Sequence, residues 1–450
     1  MRQVRARNGQ SPHDARLAWV GQERQFDRRV DPPQAHPVSS ARRIRLLVLA
    51  WVVIALAACG SAPEPTPDAV ASGPMATPAP GASMQAGPAA APGHELYGFL
   101  PYWEMDDGAI AAHVADTPLS TLALFSVTHT AQGAINTKQR GYGLITGDIG
   151  RRLVREARER GTRVELVYTS FGGPRNRKLL ESDELQATVI ASLVALAADL
   201  GVDGIDVDIE ALDPTLVPAF GGFLADLRVA VLAEDPGDTV SVATGAGALG
   251  AAMAVAAAAA DVDRIFLMGY DYRTGRSDPG ATSPLDRSDG GVQSLRRSLD
   301  LYAALGVPAD RLLLGLPLYG VEWPVAGPVI GAPSTGRGEA WFPRSHVELL
   351  ADPSITPVRD EIEQVEVYLL GSDGTVGPPS PGVSASAVSP GPEPTWRGVY
   401  VDSPATLAPK MALANERGLA GAGFWAIGYE RGLPGYTGLM ERFTAGDPLP

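Results

Sequence analysis

Asp203-Gly204-Ile205-Asp206-Val207-Asp208-Ile209-Glu210 alternates without a break between two kinds of residue. Ile205, Val207 and Ile209 fall on one side, β-branched and apolar. Gly204, Asp206, Asp208 and Glu210 fall on the other. A period of two over this length is the pattern of a strand with unlike faces. The acidic face sets three carboxylates in line, about 6–7 Å apart from one to the next at strand rise. Such a face makes a poor core, because the like charges repel and desolvation penalises each of them. Shared protons relieve both costs, and the last acid, at the strand end, becomes a candidate proton donor near neutral pH.

Three other readings of these acids compete on the same residues. A calcium loop beginning at Asp206 needs glycine in its sixth place and glutamate in its twelfth. Ala211 and Val217 stand there. A solvated edge strand tolerates the acids, but the helix expected just before it covers the apolar face. A structural ion-pair network is the third alternative.

Working outward, the helix before this strand is the clearest in the chain. It is predicted over Asp183–Leu200, capped by Ser182 and ended by Gly201, with Leu185, Val189, Leu193, Leu196 and Leu200 forming one apolar stripe. Further strands are predicted at Leu96–Pro101, Thr121–Val127, Arg163–Thr169, Val240–Thr244, Arg264–Gly269, Leu312–Pro317 and Gly421–Ala426. Most are short continuous apolar runs, as expected of strands covered on both faces. With Gly204–Ile209, eight strands alternating with helices predict an α/β fold, a (β/α)8 TIM barrel. Residues 321–402 interrupt the alternation between the seventh and eighth strands. They are expected to form a small α+β insertion with strands at Val365–Leu370 and Trp396–Val401, a short helix at Arg344–Leu350 and a Pro/Gly/Ser-rich loop over 371–394.

The chain has 450 residues and a formal net charge of -14. Residues 1–58 are basic, so the body is more acidic still, which argues against a nucleic-acid partner. Arg42, Arg43 and Arg45 precede an apolar run, Leu46–Ala58, too short to span a bilayer but suited to a signal-peptide core. The run ends at Cys59, the single cysteine. Small residues before a lone cysteine resemble a bacterial lipobox. Residues 1–58 are therefore expected to be an extension plus lipoprotein signal, with Cys59 lipidated and the protein anchored to the cell envelope. An ordinary signal peptide and a short uncleaved anchor are the alternatives. The Arg-rich residues 1–40 are unlike a signal n-region, and translation beginning nearer Val38 would account for them. Residues 59–93, rich in Pro, Ala, Gly and Ser, are expected to be a disordered tether ahead of a folded unit at 94–450.

Gly245-Ala246-Gly247-Ala248-Leu249-Gly250 matches G-x-G-x-x-G, with Asp271 downstream. It falls at the fifth strand–helix turn instead of opening a new domain, so no nucleotide cofactor is expected. No metal-ligand spacing is present, and no metal is expected. His129 reads as a hydrogen-bonded polar group.

Asp203–Glu210 resembles the D-G-x-D-x-D-x-E signature of family 18 glycoside hydrolases, the chitinase-like barrels. Ser170-Phe171-Gly172-Gly173, Met268-Gly269-Tyr270-Asp271, Gly315-Leu316-Pro317-Leu318-Tyr319-Gly320 and Trp425 resemble that family's third-, sixth-, seventh- and eighth-strand motifs, in order. The resemblance implies a retaining hydrolase of β-1,4-linked N-acetylglucosamine glycans, chitin oligosaccharides or peptidoglycan. Glu210 would be the general acid/base and the substrate's own acetamido oxygen the nucleophile. Asp208 would hold the acetamido N–H, Asp206 would share a proton or hydrogen bond with Asp208, and Tyr270 would donate to the acetamido oxygen. Met268, Asp271 and Trp425 would shape the sugar pocket, with Phe99, Trp103 and Tyr319 as further substrate-binding candidates. The glycines of the third-strand motif read as structural. Phe99 stands where many members have tyrosine, and Arg273 is placed either to meet a substrate carboxylate or to cap a loop. A chitinase-like lectin on the same fold is the competing function. Such relatives typically lack the glutamate that this chain keeps as Glu210.

Overall fold

In the computed structural model, the described residues are 94–105, 108–287, 293–374, 376–377 and 395–450. The 1–58 extension, Cys59, the 59–93 tether and most of the 371–394 loop lie outside them. Seven parallel strands come first: β1 (Glu95–Pro101), β2 (Thr121–Val127), β3 (Arg163–Phe171), β4 (Gly204–Glu210), β5 (Thr239–Gly245), β6 (Arg264–Met268) and β7 (Leu312–Pro317). After five strands of an insertion, β8 (Gly320–Val325), β9 (Glu339–Trp341), β10 (Val358–Asp360), β11 (Val365–Gly371) and β12 (Trp396–Val401), strand β13 (Gly421–Trp425) closes the barrel between β7 and β1. This is the (β/α)8 TIM barrel, and a closed barrel leaves no edge. The edge-strand reading of the acidic stretch is thereby overturned, since β4 pairs on both sides, with β3 and β5.

Aspartates at the feet of strands staple neighbours together. Asp203 accepts a hydrogen bond at Oδ2 from Val164 N (2.8 Å) and pairs at Oδ1 with Arg158 (2.9 Å). Asp263 repeats the device, accepting from Val240 N at 2.9 Å. The first acid of the motif is thus structural. The helix Asp183–Leu200 feeds β4 as the sequence implies. The Ser182 hydroxyl accepts from Leu185 N at 3.2 Å, and Gly201 ends the helix in the left-handed conformation (φ 64°). Its stripe is right apart from Leu196, which is half-buried while Ala197 turns to the core.

Tyr97, Phe99, Phe125, Val167, Phe266 and Leu313 fill the barrel interior. The Phe266 ring has room only because its neighbours lack side chains. A Cβ on Gly315 would lie 2.3 Å from that ring, and one on Gly423 2.6 Å from it. At the fifth turn, a Cβ on Gly250 would lie 1.7 Å from the Gly245 carbonyl oxygen, so that glycine serves the close approach of helix Ala248–Ala259 to β5.

The insertion is a five-stranded antiparallel sheet in the order β10-β11-β12-β8-β9. Trp323, Val367 and Tyr400 pack on one face, Trp341, Tyr368 and Val399 on the other. Three of its strands escaped the sequence reading. Pro324 disguised β8, but β9 pairs only with Gly320–Glu322, so the missing N–H breaks no ladder on that side. The other two, β9 and β10, are three residues each. The helix expected at Arg344–Leu350 is a 3-10 turn, Pro343–Ser345, followed by a single helical stretch, Val347–Ala351. Pro343 and the break at His346 divide it. Arg344 forks onto Glu104, with Nε to Oε2 at 2.9 Å, and its backbone N–H donates to the Tyr429 carbonyl (2.8 Å), tying the insertion to the barrel beside Trp103.

Candidate active site

β4 runs one residue past the expected end and finishes on Glu210, which pairs with Phe171. Ala211 then takes a left-handed conformation (φ 57°) and turns the chain away. The strand end is held from β3: Asn176 Nδ2 donates to the Glu210 carbonyl at 2.5 Å, and the Ser170 hydroxyl donates to Asn176 Oδ1 at 2.8 Å. Asn176 was not singled out from the sequence. It belongs to the helix that follows Gly172, and only the fold brings it to β4.

Asp206 and Asp208 are buried inside the barrel, and Glu210 is exposed at its C-terminal mouth, the end where barrels of this type carry their chemistry. Burial, then the Glu165 charge, hold the Asp206 carboxyl well above its ordinary range. Burial, then Glu210 and Asp206, do the same to Asp208. Glu210 presents some open surface, yet desolvation of its carboxyl pushes it up to about 7, with the Asp271 charge adding to this. An acid poised there holds a proton to give and can take one back. The expected Asp206–Asp208 hydrogen bond is not formed. Neither oxygen of Asp206 nor Oδ1 of Asp208 has a hydrogen-bond partner, because the two side chains project in parallel from alternate residues of one strand.

Tyr270 and Asp271 follow β6, which stops one residue short of Gly269, and Asp271 sits at φ 58°. Burial raises the Tyr270 phenol, and Asp208, Asp271, Glu210 and Asp206 each add to the shift, Asp208 first among them. The phenol therefore stands among the carboxylates and keeps its proton to donate. Met268 is half-buried at the end of β6. Trp425 and Trp103 are half-buried at the mouth with ring centroids 6.3 Å apart, and Phe125 supports Trp425 edge-on at 4.7 Å. Trp103 Nε1 donates to the Tyr429 hydroxyl at 3.1 Å.

Two substrate-binding candidates need correction. Phe99 is buried between Phe266 and Trp425, with centroids 4.9 and 5.7 Å away, so it supports the aromatic floor and does not reach the mouth. Tyr319 is also buried and spends its hydroxyl on Asp271 Oδ1. Arg273 packs against Gly280, which also lies beside Glu363 of the insertion. His129 is buried with Nδ1 2.7 Å from the Tyr168 hydroxyl, and burial, with Arg175 and Lys178 adding, lowers it to about 4, so it is neutral.

The fold and the mouth together define an α/β barrel carrying a carboxylic acid at the C-terminal end of its fourth strand. A family model described as glycosyl hydrolases family 18 matches residues 151–430, and the chain belongs to that family. Mouse (Mus musculus) chitotriosidase-1 is 27% identical over 190 residues, which are 38% of this chain and 41% of that protein. The matched stretch thus spans less than half of that relative. Among solved structures, the family 18 chitinase from Cycas revoluta in complex with (GlcNAc)3 superposes with a TM-score of 0.62 at 18% identity, covering 78% of this chain and 99% of that one. The spore cortex-lytic enzyme SleL from Bacillus cereus gives a TM-score of 0.60 at 18% identity over 78% of this chain and 74% of that one.

Proposed function

We propose that the chain is a retaining glycoside hydrolase of β-1,4-linked N-acetylglucosamine glycans, with Glu210 as general acid/base. The observation that carries this reading is the carboxyl of Glu210, held near neutrality at the barrel mouth, above Asp208 and beside the Tyr270 phenol. Glu210 gives its proton to the glycosidic oxygen as the bond from C1 breaks. The acetamido oxygen of the same sugar closes on C1 and forms an oxazolinium ion. Asp208, as a carboxylate, accepts the acetamido N–H and balances the positive charge. Tyr270 donates to the acetamido oxygen and aligns it. Glu210, now a carboxylate, takes a proton from water as the water attacks C1; the C1–oxygen bond of the oxazolinium breaks, the acetamido group is regenerated, and the β configuration returns. Trp425 provides an apolar floor for a sugar face, with Trp103 beside it.

The relatives support the substrate class. One is a chitinase crystallised with an N-acetylglucosamine oligosaccharide, another a spore cortex-lytic enzyme. The test uses residues 94–450 on chito-oligosaccharides and on purified sacculi, with the first product followed by NMR before mutarotation. A β product, inhibition by a thiazoline mimic, and no cleavage next to de-acetylated glucosamine are expected. An α product first would mean inversion and would remove the acetamido group as nucleophile. Binding without cleavage of either substrate would favour the lectin alternative.

The envelope location is proposed on the Leu46–Ala58 run ending at Cys59. Intact mass of membrane-extracted protein should show a diacylglyceryl group on Cys59 as the first residue. A soluble product starting at Met1 would contradict it.

A further inference from the structure

A fourth carboxylate stands beneath the three of β4. Val167 of β3 pairs with Asp206, so Glu165, two residues earlier on the same face, lies one interior layer lower. It is buried, and three hydroxyls converge on it. Tyr97 donates to Oε2 at 2.6 Å, while Thr239 and Ser241 donate to Oε1 at 2.7 and 3.0 Å. Three donors on two oxygens are the arrangement that suits an ionised carboxylate. Ser241 is the register partner of Asp206 on β5, yet its hydroxyl turns down to Glu165. Asp206 is left with no hydrogen bond on either oxygen. Burial raises the Glu165 carboxyl, while the hydrogen bonds from Tyr97 on β1 and from Thr239 and Ser241 on β5, and the Arg163 charge on its own strand, all act to lower it; the Glu165 charge in turn acts on Asp206 of β4. Arg264 from β6 also feels the Glu165 charge, but its guanidinium is forked onto Glu95. Those acting on Asp206 and its neighbour Asp208 are Glu165 below, Glu210 above and the Tyr97 and Tyr270 phenols to the sides.

We propose that Glu165 is a positioning residue whose fixed, buried charge keeps a proton on Asp206, leaving Asp208 free to act as the carboxylate that holds the acetamido group. The physical reason is like-charge repulsion across one barrel layer between two buried groups, where solvent screening is weak. Of the two acids, Glu165 has three donors and Asp206 has none, so the proton resides on Asp206. Asp206 then stands next to Asp208 as a neutral acid and not as a second anion. The role in turnover rests on the hydrolase reading above, whereas the effect on Asp206 does not.

The test is carboxyl 13C NMR of aspartate-labelled protein, with the Asp206 signal assigned by its loss in Asp206→Asn. Glu165→Gln keeps the size and most of the hydrogen bonding and removes the charge. The Asp206 titration midpoint should fall by roughly one pH unit or more, the size of effect a close like charge exerts. Tyr97→Phe, which removes one donor from Glu165, should move the midpoint the same way by less and covers the case in which Glu165→Gln does not fold. A midpoint unmoved in the folded variants overturns the proposal, whatever the activity. In parallel, kcat on chito-oligosaccharides should fall about tenfold in Glu165→Gln with KM unchanged, as for a lost transition-state interaction. If wild-type protein cleaves no N-acetylglucosamine glycan while the Asp206 midpoint still shifts, the hydrolase reading fails and the assignment of the proton stands.

Discussion

The hydroxyl of Tyr319, two residues beyond the end of β7, donates to Oδ1 of Asp271, whose charge acts on Glu210. The bond joins the loops after β6 and β7 and holds Asp271 in its left-handed conformation (φ 58°). The Asp271 charge favours the protonated form of Glu210, so Asp271→Asn should let Glu210 ionise at lower pH. The alkaline limb of the pH–kcat profile, where the general acid is lost, should move down from about 7. Tyr319→Phe should shift it less, since the charge remains and only its placement loosens. A limb unchanged in Asp271→Asn would assign the raised Glu210 wholly to its desolvation.

Glu210→Gln removes the transferable proton and little else. It should lower kcat by about 10²–10⁴ and leave the thermal transition and oligosaccharide binding close to wild type, because the residue lies exposed at the strand end. Calorimetric titration with chitotriose on the variant checks binding apart from turnover. Full activity in Glu210→Gln would return β4 to the structural ion-pair reading.

The barrel and the acidic column were legible because both are written in short-range pattern. Alternation placed Asp206, Asp208 and Glu210 on one face, and the 3.6-residue stripe of Asp183–Leu200 marked its helix. What was not legible depends on distant pairing. Glu165 shares the parity of Val167 and Thr169, so its inward direction was readable in principle. Its three partners come from β1 and β5, and no local pattern joins them. Asn176 reaches Glu210 only through the Gly172 turn. Phe99 and Tyr319 read as sugar contacts in sequence through their places in family motifs, and a motif position does not give depth. Depth in the barrel decides whether they meet solvent. The insertion was half legible for a similar reason: three-residue strands and a proline-bearing one carry too little pattern.

Lys410 and Asp402 form a fully buried pair where helix Pro404–Glu416 leaves β12. Thr406 also donates to Asp402 Oδ1 at 2.9 Å, and Tyr436 donates to the Asp402 carbonyl at 2.7 Å. Desolvation outweighs the pairing on both sides: it raises Asp402 and lowers Lys410. Lys410→Met should therefore cost about 3–5 kcal/mol by stranding the aspartate. The double variant Lys410→Met, Asp402→Leu should recover most of the loss. Denaturant unfolding of the three proteins measures this, and a double variant as weak as the single one would show that the pair is net stabilising.

Asp206 offers a stability test with a definite sign. Its folded-state proton affinity is raised, mainly by burial, whereas in the unfolded chain an aspartate loses its proton near pH 3.9. Above that pH the folded state binds more protons at this site than the unfolded state, so the site's contribution to stability falls as pH rises toward the folded-state midpoint. Below it both states are protonated and the penalty vanishes. Asp206→Asn has nearly the same shape and no ionisation. The variant should match wild type at about pH 3.5 and become progressively more stable than wild type between about pH 4 and neutrality. Thermal melts across that range would show a widening gap in Tm, together with reduced activity in the variant. A gap of constant size would mean that the substitution acts through packing. A variant less stable than wild type at neutral pH would mean that the Asp206 carboxyl, ionised or not, makes a contact the folded state needs.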